Sequence, residues 1–138
     1  MSYLLDTPVV WEAKRSEPDT KVLAWLAERP LTNVYLSVLT LGELQEGIAA
    51  VDDPDEARAL GRWLEQLRQS FAGRILDITP EVAATWGRLR ANVRTQAQTA
   101  AAVDLLLVAT AVTHGLTLVT RSSVTGELGP VGTFDPWR

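Results

Sequence analysis

Three acidic side chains, far apart in the chain, are the residues of this sequence best suited to chemistry. Asp6 ends a short apolar run, Glu43 lies within residues 37–44, and Asp104 interrupts the apolar residues 100–108. A carboxylate is costly to place near a core unless something pairs with it. Carboxylate oxygens are also the ligands that Mg²⁺ and Mn²⁺ prefer. Together the three acids predict one shared divalent cation.

Each acid taken alone also has a structural explanation. Asp6 can cap the helix that starts at Thr7, Glu43 fits a capping box with Thr40, and Asp104 suits the dipole of a helix start. Taken together, the three acids favour a metal-binding catalytic site over these structural roles. A metal held by them would orient a water molecule, lower its pKa and neutralise charge on a phosphate, which is sufficient for phosphodiester hydrolysis.

The composition narrows the possible classes of protein. The chain has 138 residues, the size of one domain, with no cysteine and one histidine. Disulfides, thiolate zinc sites and cysteine nucleophiles are therefore excluded. The formal net charge of −4 argues against binding a polyanion through bulk charge, so nucleic acid would need a local basic patch or a metal bridge.

No part of the sequence has the pattern of a membrane or targeting segment. Apolar runs fall short of the roughly 20 residues of a membrane helix, and no basic leader precedes Tyr3. We therefore expect a cytoplasmic protein without membrane contact.

Short strand patterns alternate with helical patterns along the chain. Strands are predicted at 3–6, 34–38, 75–78, 116–120 and 131–134. Helices are predicted at 7–14, 21–27, 40–51, 55–71, 79–93 and 103–114, with a polar loop at 95–99. This alternation predicts an α/β fold in which helices cover both faces of a mostly parallel sheet.

The predicted sheet brings the acids to one end of the molecule. Ligand sites of parallel sheets lie at the carboxyl ends of the strands, near the point where strand order reverses. Asp6 ends the first strand and Thr120 ends a later one, while Glu43 and Asp104 fall in the first turns of helices. All four are therefore expected at the same edge.

Four segments of the chain resemble the motifs of PIN-domain ribonucleases, in the family's order and spacing. They are residues 4–7, 36–48, 104–111 and 114–121, and residues 134–137 fit the narrower branch named next. More narrowly, the chain is similar to VapC-type toxins of bacterial type II toxin–antitoxin pairs, in the FitB-like branch. The resemblance implies a single PIN domain over 1–138 with a three-layer α/β/α sandwich. It also implies a Mg²⁺- or Mn²⁺-dependent endoribonuclease that cleaves RNA, forms a homodimer and is inhibited by a VapB-type antitoxin.

The resemblance also implies roles for individual residues. Asp6, Glu43 and Asp104 correspond to the first three catalytic acids of the family, and Asp6 and Asp104 would bind the metal. Thr7 and Thr120 carry hydroxyl groups next to these acids, and each would hold a carboxylate or a water molecule in place.

Two positions depart from the family pattern. Pro8 stands where the family often has Asn, and Ser122 and Thr125 stand where it commonly has Asn and a fourth acid. Glu127 and Glu46 are further acids near the predicted site whose roles the sequence leaves open. A missing fourth acid keeps an alternative open, a PIN-like module with weak or lost catalysis that binds RNA or antitoxin.

Several basic residues are candidates for binding phosphates. Arg121 follows the predicted site and is the best of them, while Arg88, Arg90 and Arg94 share one predicted helix and fit a solvated surface about as well. His114 precedes a glycine at a helix end, where the helix dipole favours it, and is not expected to be catalytic.

The five tryptophans have two predicted roles. Trp25, Trp63 and Trp86 lie on amphipathic helices and are expected in the core or at an interface, whereas Trp11 and Trp137 lie near the ends and are candidates for partner contacts.

Other phosphoryl-transfer enzymes fit the sequence less well. A phosphatase of the haloacid-dehalogenase type needs a second Asp where Pro8 stands, and a receiver domain needs a late Lys, whereas the lysines here are Lys14 and Lys21.

Overall fold

The computed structural model describes residues 1–93, 102–122, 127 and 129–138. The described strands are β1 Tyr3–Leu5, β2 Val34–Ser37, β3 Ile75–Leu76, β4 Thr117–Val119 and β5 Thr133–Phe134. The described helices are α1 Thr7–Trp11, α2 Thr20–Ala27, α3 Val38–Ala49, α4 Pro54–Ser70, α5 Pro80–Val93 and α6 Ala102–His114, with 3-10 turns at Glu12–Lys14 and Leu31–Asn33. The predicted loop at 95–99, Arg94 and Thr125 lie outside the described residues.

The strands form one sheet in the order β3-β2-β1-β4-β5, and each pair is parallel. The prediction of a parallel sheet is therefore confirmed. The chain adds β2 and β3 on one side of β1 and then returns to add β4 and β5 on the other. The strand order consequently reverses between β1 and β4, where a ligand site is expected.

Two apolar clusters cover the two faces of this sheet. Leu5 and Val119 face the cluster made with α1 to α4, while Leu4 and Leu118 face the cluster made with α5 and α6. Neighbouring strand residues point to opposite faces because the side chains of a strand alternate. The three-layer α/β/α arrangement is thus confirmed. Over the described ranges, no helix combines the length and hydropathy that a membrane span needs.

The capping residues of two helices are those predicted. At α1 the cap is Asp6, whose Oδ1 accepts a hydrogen bond from the Thr7 backbone N at 2.9 Å, so the capping role predicted for this acid is confirmed. The Thr7 hydroxyl is engaged elsewhere. At α5 the prediction is confirmed, because Thr79 Oγ1 accepts from Val82 N at 3.2 Å and Pro80 follows it.

The start of α3 corrects a prediction. The helix begins at Val38, two residues before the predicted start, and the Ser37 hydroxyl accepts from Leu39 N at 3.0 Å. The predicted capping box of Thr40 and Glu43 is therefore wrong, since Thr40 is already inside the helix. Ser37 ends β2, and its side chain caps α3. The β-branched Val38, predicted as the last residue of the strand, is therefore the first residue of the helix.

Gly47→Ala is expected to destabilise the fold by about 1–3 kcal/mol, because inserting a group into a packed contact forces shifts. A Cβ at Gly47 would lie 2.6 Å from Cζ2 of Trp11. Trp11 cannot swing away freely, since its ring stacks on Trp63 with a centroid distance of 5.4 Å. Urea titration would measure the loss.

Gly42→Ala is the matched control on the same helix. A Cβ there meets nothing within 4 Å. Alanine is the better helix former by roughly 0.5–1 kcal/mol, so this variant should be at least as stable as the parent. Equal loss in both variants would contradict the packing argument.

Candidate functional site

An open cleft of about 320 Å³ lies at the carboxyl end of the sheet. Its lining residues are Asp6, Thr7, Pro8, Trp11, Glu43, Asp104 and Ser122. The fold thus brings the three predicted acids to one cleft. Cavities of about 370 and 380 Å³ lie elsewhere, but no carboxylate lines either of them. The carboxylates in its lining, and not its volume, therefore identify this cleft as the candidate site.

Asp6 is held at the end of β1, beside the end of β4. Its backbone N donates to Val119 O at 2.9 Å, which extends the pairing of the two strands. Its side chain accepts from Thr7 N at Oδ1 and from Thr120 Oγ1 at Oδ2, the latter at 2.7 Å. Thr120 is buried. Both carboxylate oxygens of Asp6 are therefore fixed in direction, and the position predicted for Thr120 beside this acid is confirmed.

Glu43 reaches the cleft from α3 and is held by Thr7. The Thr7 hydroxyl donates its one proton to Glu43 Oε1 at 2.6 Å, and its oxygen lies 3.2 Å from Thr40 Oγ1, from which it can accept. Thr40 is fully buried and was missed as a site residue by sequence reasoning. Its spacing of three from Glu43, which puts both on one helix face, is the signal that could have found it.

Asp104 lies in the first turn of α6 and is half-buried. No described residue donates a hydrogen bond to it. Burial raises the pKa of its carboxyl above the usual 3.8, and the nearby charges of Asp6 and Glu43 raise it further. The three acids therefore interact electrostatically across the cleft, and a cation between them would relieve the repulsion.

The donor set suits a hard divalent cation. Carboxylate oxygens are its preferred ligands, and Mg²⁺ usually keeps several waters while taking one or two carboxylates directly. Among the residues the structure describes, no three acids or histidines converge closely enough to hold one ion together. The arrangement is therefore compatible with a water-rich site built on two carboxylates.

The other acidic candidates lie away from this cleft. Glu46 is exposed on α3, and neither it nor the exposed Glu127 is among the described residues that line the cleft. Ser122, at the position where the resemblance predicts Asn, does line it. Glu46 lies one turn beyond Glu43, but its side chain points to solvent.

The arginines divide into two groups. Arg121 is exposed beside the site, and its guanidinium carbon lies 4.2 Å from the centroid of the Trp137 ring. Arg88 donates to Thr85 Oγ1 at 3.3 Å, and Arg90 lies over Trp86 at 5.6 Å. No residue of α5 lines the cleft. Both helix arginines therefore fit a surface role.

The tryptophans of the amphipathic helices pack in the core, as predicted. Trp25 is buried, and Trp63 and Trp86 are half-buried against the two apolar clusters. Trp11 forms part of the cleft wall, which was not foreseen, and Trp137 packs against the first cluster.

Comparison with known proteins places the chain among relatives of similar length. The sequence profile of the PIN domain matches residues 3–123. The toxin FitB of Neisseria gonorrhoeae is 38% identical over 135 residues, which is 97% of each chain. The VapC ribonuclease Y4jK of Sinorhizobium fredii is 31% identical over 135 residues, 97% of this chain and 96% of that protein.

Solved structures also match nearly the whole length of this chain. The crystal structure of FitAcB from Neisseria gonorrhoeae has a TM-score of 0.92, 38% identity and coverage of 98% of both chains. VapBC2 of Rickettsia felis, bound to a DNA fragment from its promoter, has a TM-score of 0.76 at 22% identity over 97% and 98% of the chains and shares the fold. With a profile match over most of its length and relatives above 30% identity over nearly all of it, the chain belongs to the PIN-domain family.

Proposed function

We propose that this protein is the toxin of a bacterial toxin–antitoxin pair and cleaves RNA as a Mg²⁺- or Mn²⁺-dependent endoribonuclease. The observation that carries the proposal is the convergence of Asp6, Glu43 and Asp104 on one cleft. The names of its relatives, Toxin FitB and VapC ribonuclease, support it.

The three acids of the cleft and the residues that contact or adjoin them have separate roles in this proposal. Asp6 and Asp104 would hold the cation, which when bound supplies an activated water and neutralises charge on the phosphate. Thr120 and the Thr7 backbone fix the direction of Asp6. Thr7 engages Oε1 of Glu43, which leaves Oε2 to accept the proton of the attacking water. Arg121, exposed at the rim, would contact an RNA phosphate.

The proposal includes two protein partners. Similar structures bear names of toxin–antitoxin complexes, among them FitAcB and VapBC2. We therefore propose a VapB-type antitoxin as the inhibitor and a homodimer as the assembly. Co-purification with the product of a small neighbouring gene and sedimentation of the free toxin would test the two partners separately.

Metal dependence is tested directly with the purified chain. Labelled single-stranded RNA should stay intact in EDTA and be cut internally when Mg²⁺ or Mn²⁺ is added in excess, because in this proposal the cation held by the acids activates the water and neutralises charge on the phosphate. Cleavage at the same rate in EDTA would refute the metal-dependent mechanism. Re-chelation after cleavage has begun should stop the reaction and controls for a contaminating nuclease.

A binding module without turnover is the second candidate function. It is favoured by Ser122 at the position of the family Asn and by the cleft lining, in which the described residues supply three acids and not a fourth. Growth arrest that persists in Asp6→Asn, together with RNA binding but no cleavage, would support this candidate over the nuclease.

A further inference from the structure

Arg121 and residues within 133–138 line a neighbouring cavity of about 130 Å³, which shares Ser122 with the acidic cleft. Thr120 N donates to Phe134 O at 2.9 Å, which ties β5 to the end of β4. Asp135 Oδ1 then accepts from Trp137 N at 2.9 Å and forms a turn. This turn places the Trp137 ring under the guanidinium of Arg121, 4.2 Å from its centroid, the shortest cation–π contact among the described residues.

A buried acid that the cleavage chemistry does not use lies near Trp137. Glu12 has an exposed fraction of 0%. Its Oε2 accepts from Asp19 N at 2.7 Å and its Oε1 from Arg15 at 3.4 Å. Trp137 packs against the same cluster of α1 to α4, with its indole near the Glu12 carboxylate.

The groups around Glu12 lower the pKa of its carboxyl below the ordinary 4.5. The Asp19 backbone N–H lowers it most, burial opposes that effect, and Arg15 and the Trp137 indole lower it further. The indole Nε1 of Trp137 is buried and has no hydrogen-bond partner among the described residues. Packing against the first apolar cluster therefore holds the ring.

The charge of Arg121 is held in place but left unneutralised. Among the described residues Arg121 has no salt bridge, whereas the neighbouring Arg138 is paired with Asp135 at 3.4 Å. Arg121 follows Thr120, whose hydroxyl bonds Asp6. A guanidinium stacked on an aromatic face keeps its edge free for two hydrogen bonds to a phosphate.

We propose that Trp137 is a positioning residue that, packed against the first apolar cluster, holds the Arg121 guanidinium beside the acidic cleft to bind a phosphate of single-stranded RNA. The proposal rests on the proposed function for the identity of the ligand. It explains how an acidic protein with an acidic cleft can take a polyanion, since one fixed cation next to the acids attracts the backbone.

Binding of a labelled RNA oligonucleotide in EDTA tests the proposal without cleavage. Arg121→Met and Trp137→Leu should each weaken binding about threefold to thirtyfold, as expected for one phosphate contact and its stacking partner. The double variant should bind no more weakly than Arg121→Met, because the two residues act as one unit. Trp137→Phe keeps an aromatic face and should recover most of the affinity.

A second measurement separates positioning from general stability. Relaxation of the Arg121 Nε–H in NMR should show an ordered side chain in the parent and in Trp137→Phe, and a mobile one in Trp137→Leu. Arg90→Met is the matched control, since Arg90 also lies over a tryptophan but on α5, which does not line the cleft. Its RNA affinity should equal that of the parent, and melting temperatures check that each variant folds.

Each outcome decides the proposal. Unchanged affinity in Arg121→Met, additive losses in the double variant, an equally ordered Arg121 in Trp137→Leu, or no RNA binding by the parent would overturn it. A parent protein that binds RNA through Arg121 but never cleaves it, with any metal, would refute the proposed nuclease and leave the positioning role of Trp137 standing.

Discussion

Asp104→Asn is expected to lower RNA cleavage by about a hundredfold to a thousandfold, the usual cost of removing one charge-stabilising group from a site. The substitution keeps the shape of the side chain and removes the charge that the cation needs. Asp6→Asn should have a similar effect, because Asp6 is the acid whose two oxygens are already oriented by Thr7 and Thr120.

The loss of activity in Asp104→Asn should come without a loss of stability. Burial and the charges of Asp6 and Glu43 raise the pKa of this carboxyl in the folded state. A group that binds its proton more tightly when folded contributes stability as the pH falls through that raised pKa, and costs stability when ionised. At pH 7 the neutral Asn should therefore melt at the same temperature as the parent or higher.

Cleavage rates and melting temperatures measured on the same preparations check both statements. Asp52→Asn is the matched control, since Asp52 is exposed and remote from the cleft lining. It should cleave at the parental rate. Parental cleavage by both Asp6→Asn and Asp104→Asn would rule out the acidic cleft as the catalytic site.

Glu12→Ala is expected to lower the free energy of unfolding by about 2–4 kcal/mol, as for other buried groups whose partners are left unpaired. The substitution removes the acceptor of Asp19 N and Arg15 and leaves a gap at a fully buried position. Asp19 caps α2 through Lys21 N at 2.8 Å, so the loss also loosens the start of that helix.

The contribution of Glu12 depends on pH in a defined direction. Its folded-state pKa is lowered from the ordinary 4.5, chiefly by the Asp19 N–H. A depressed carboxyl pKa gives stability that is complete above 4.5 and is lost as the pH falls toward the lowered value. In Glu12→Gln the shape remains but this part of the acid sensitivity should disappear.

Urea titrations of the parent, Glu12→Ala and Glu12→Gln at pH 7 and below 4.5 measure these differences. Glu17→Ala is the control, because Glu17 is exposed on the following turn and should change stability little. If Glu12→Ala were as stable as Glu17→Ala, the carboxylate would not anchor this region.

Local patterns along the chain were sufficient to predict most of the fold. The alternation of short strands and helices predicted the parallel sheet and its two helical layers, and Thr79 followed by Pro80 marked the start of α5. The errors lay at helix starts. Ser37 and Thr40 are both acceptable caps, and only the end of β2 decides which of them is used.

Local patterns could not predict which side chains meet. Thr7 and Glu43 are 36 positions apart, and Thr120 and Asp6 are 114 apart. These contacts depend on the order of the strands, which puts β1 beside β4. The stacking of Arg121 on Trp137 likewise joins the end of β4 to the turn that follows β5.

Periodicity, capping chemistry and residue type are local properties, so the amino-acid sequence alone predicts the fold class, the family resemblance and the three candidate acids. How those acids are held, and what lies beside them, depends on the way the chain folds. The threonine contacts, the raised pKa of Asp104 and the Arg121 contact arise from side chains that meet across the sheet edge. Distance in space, set by strand order, is what the linear pattern does not contain.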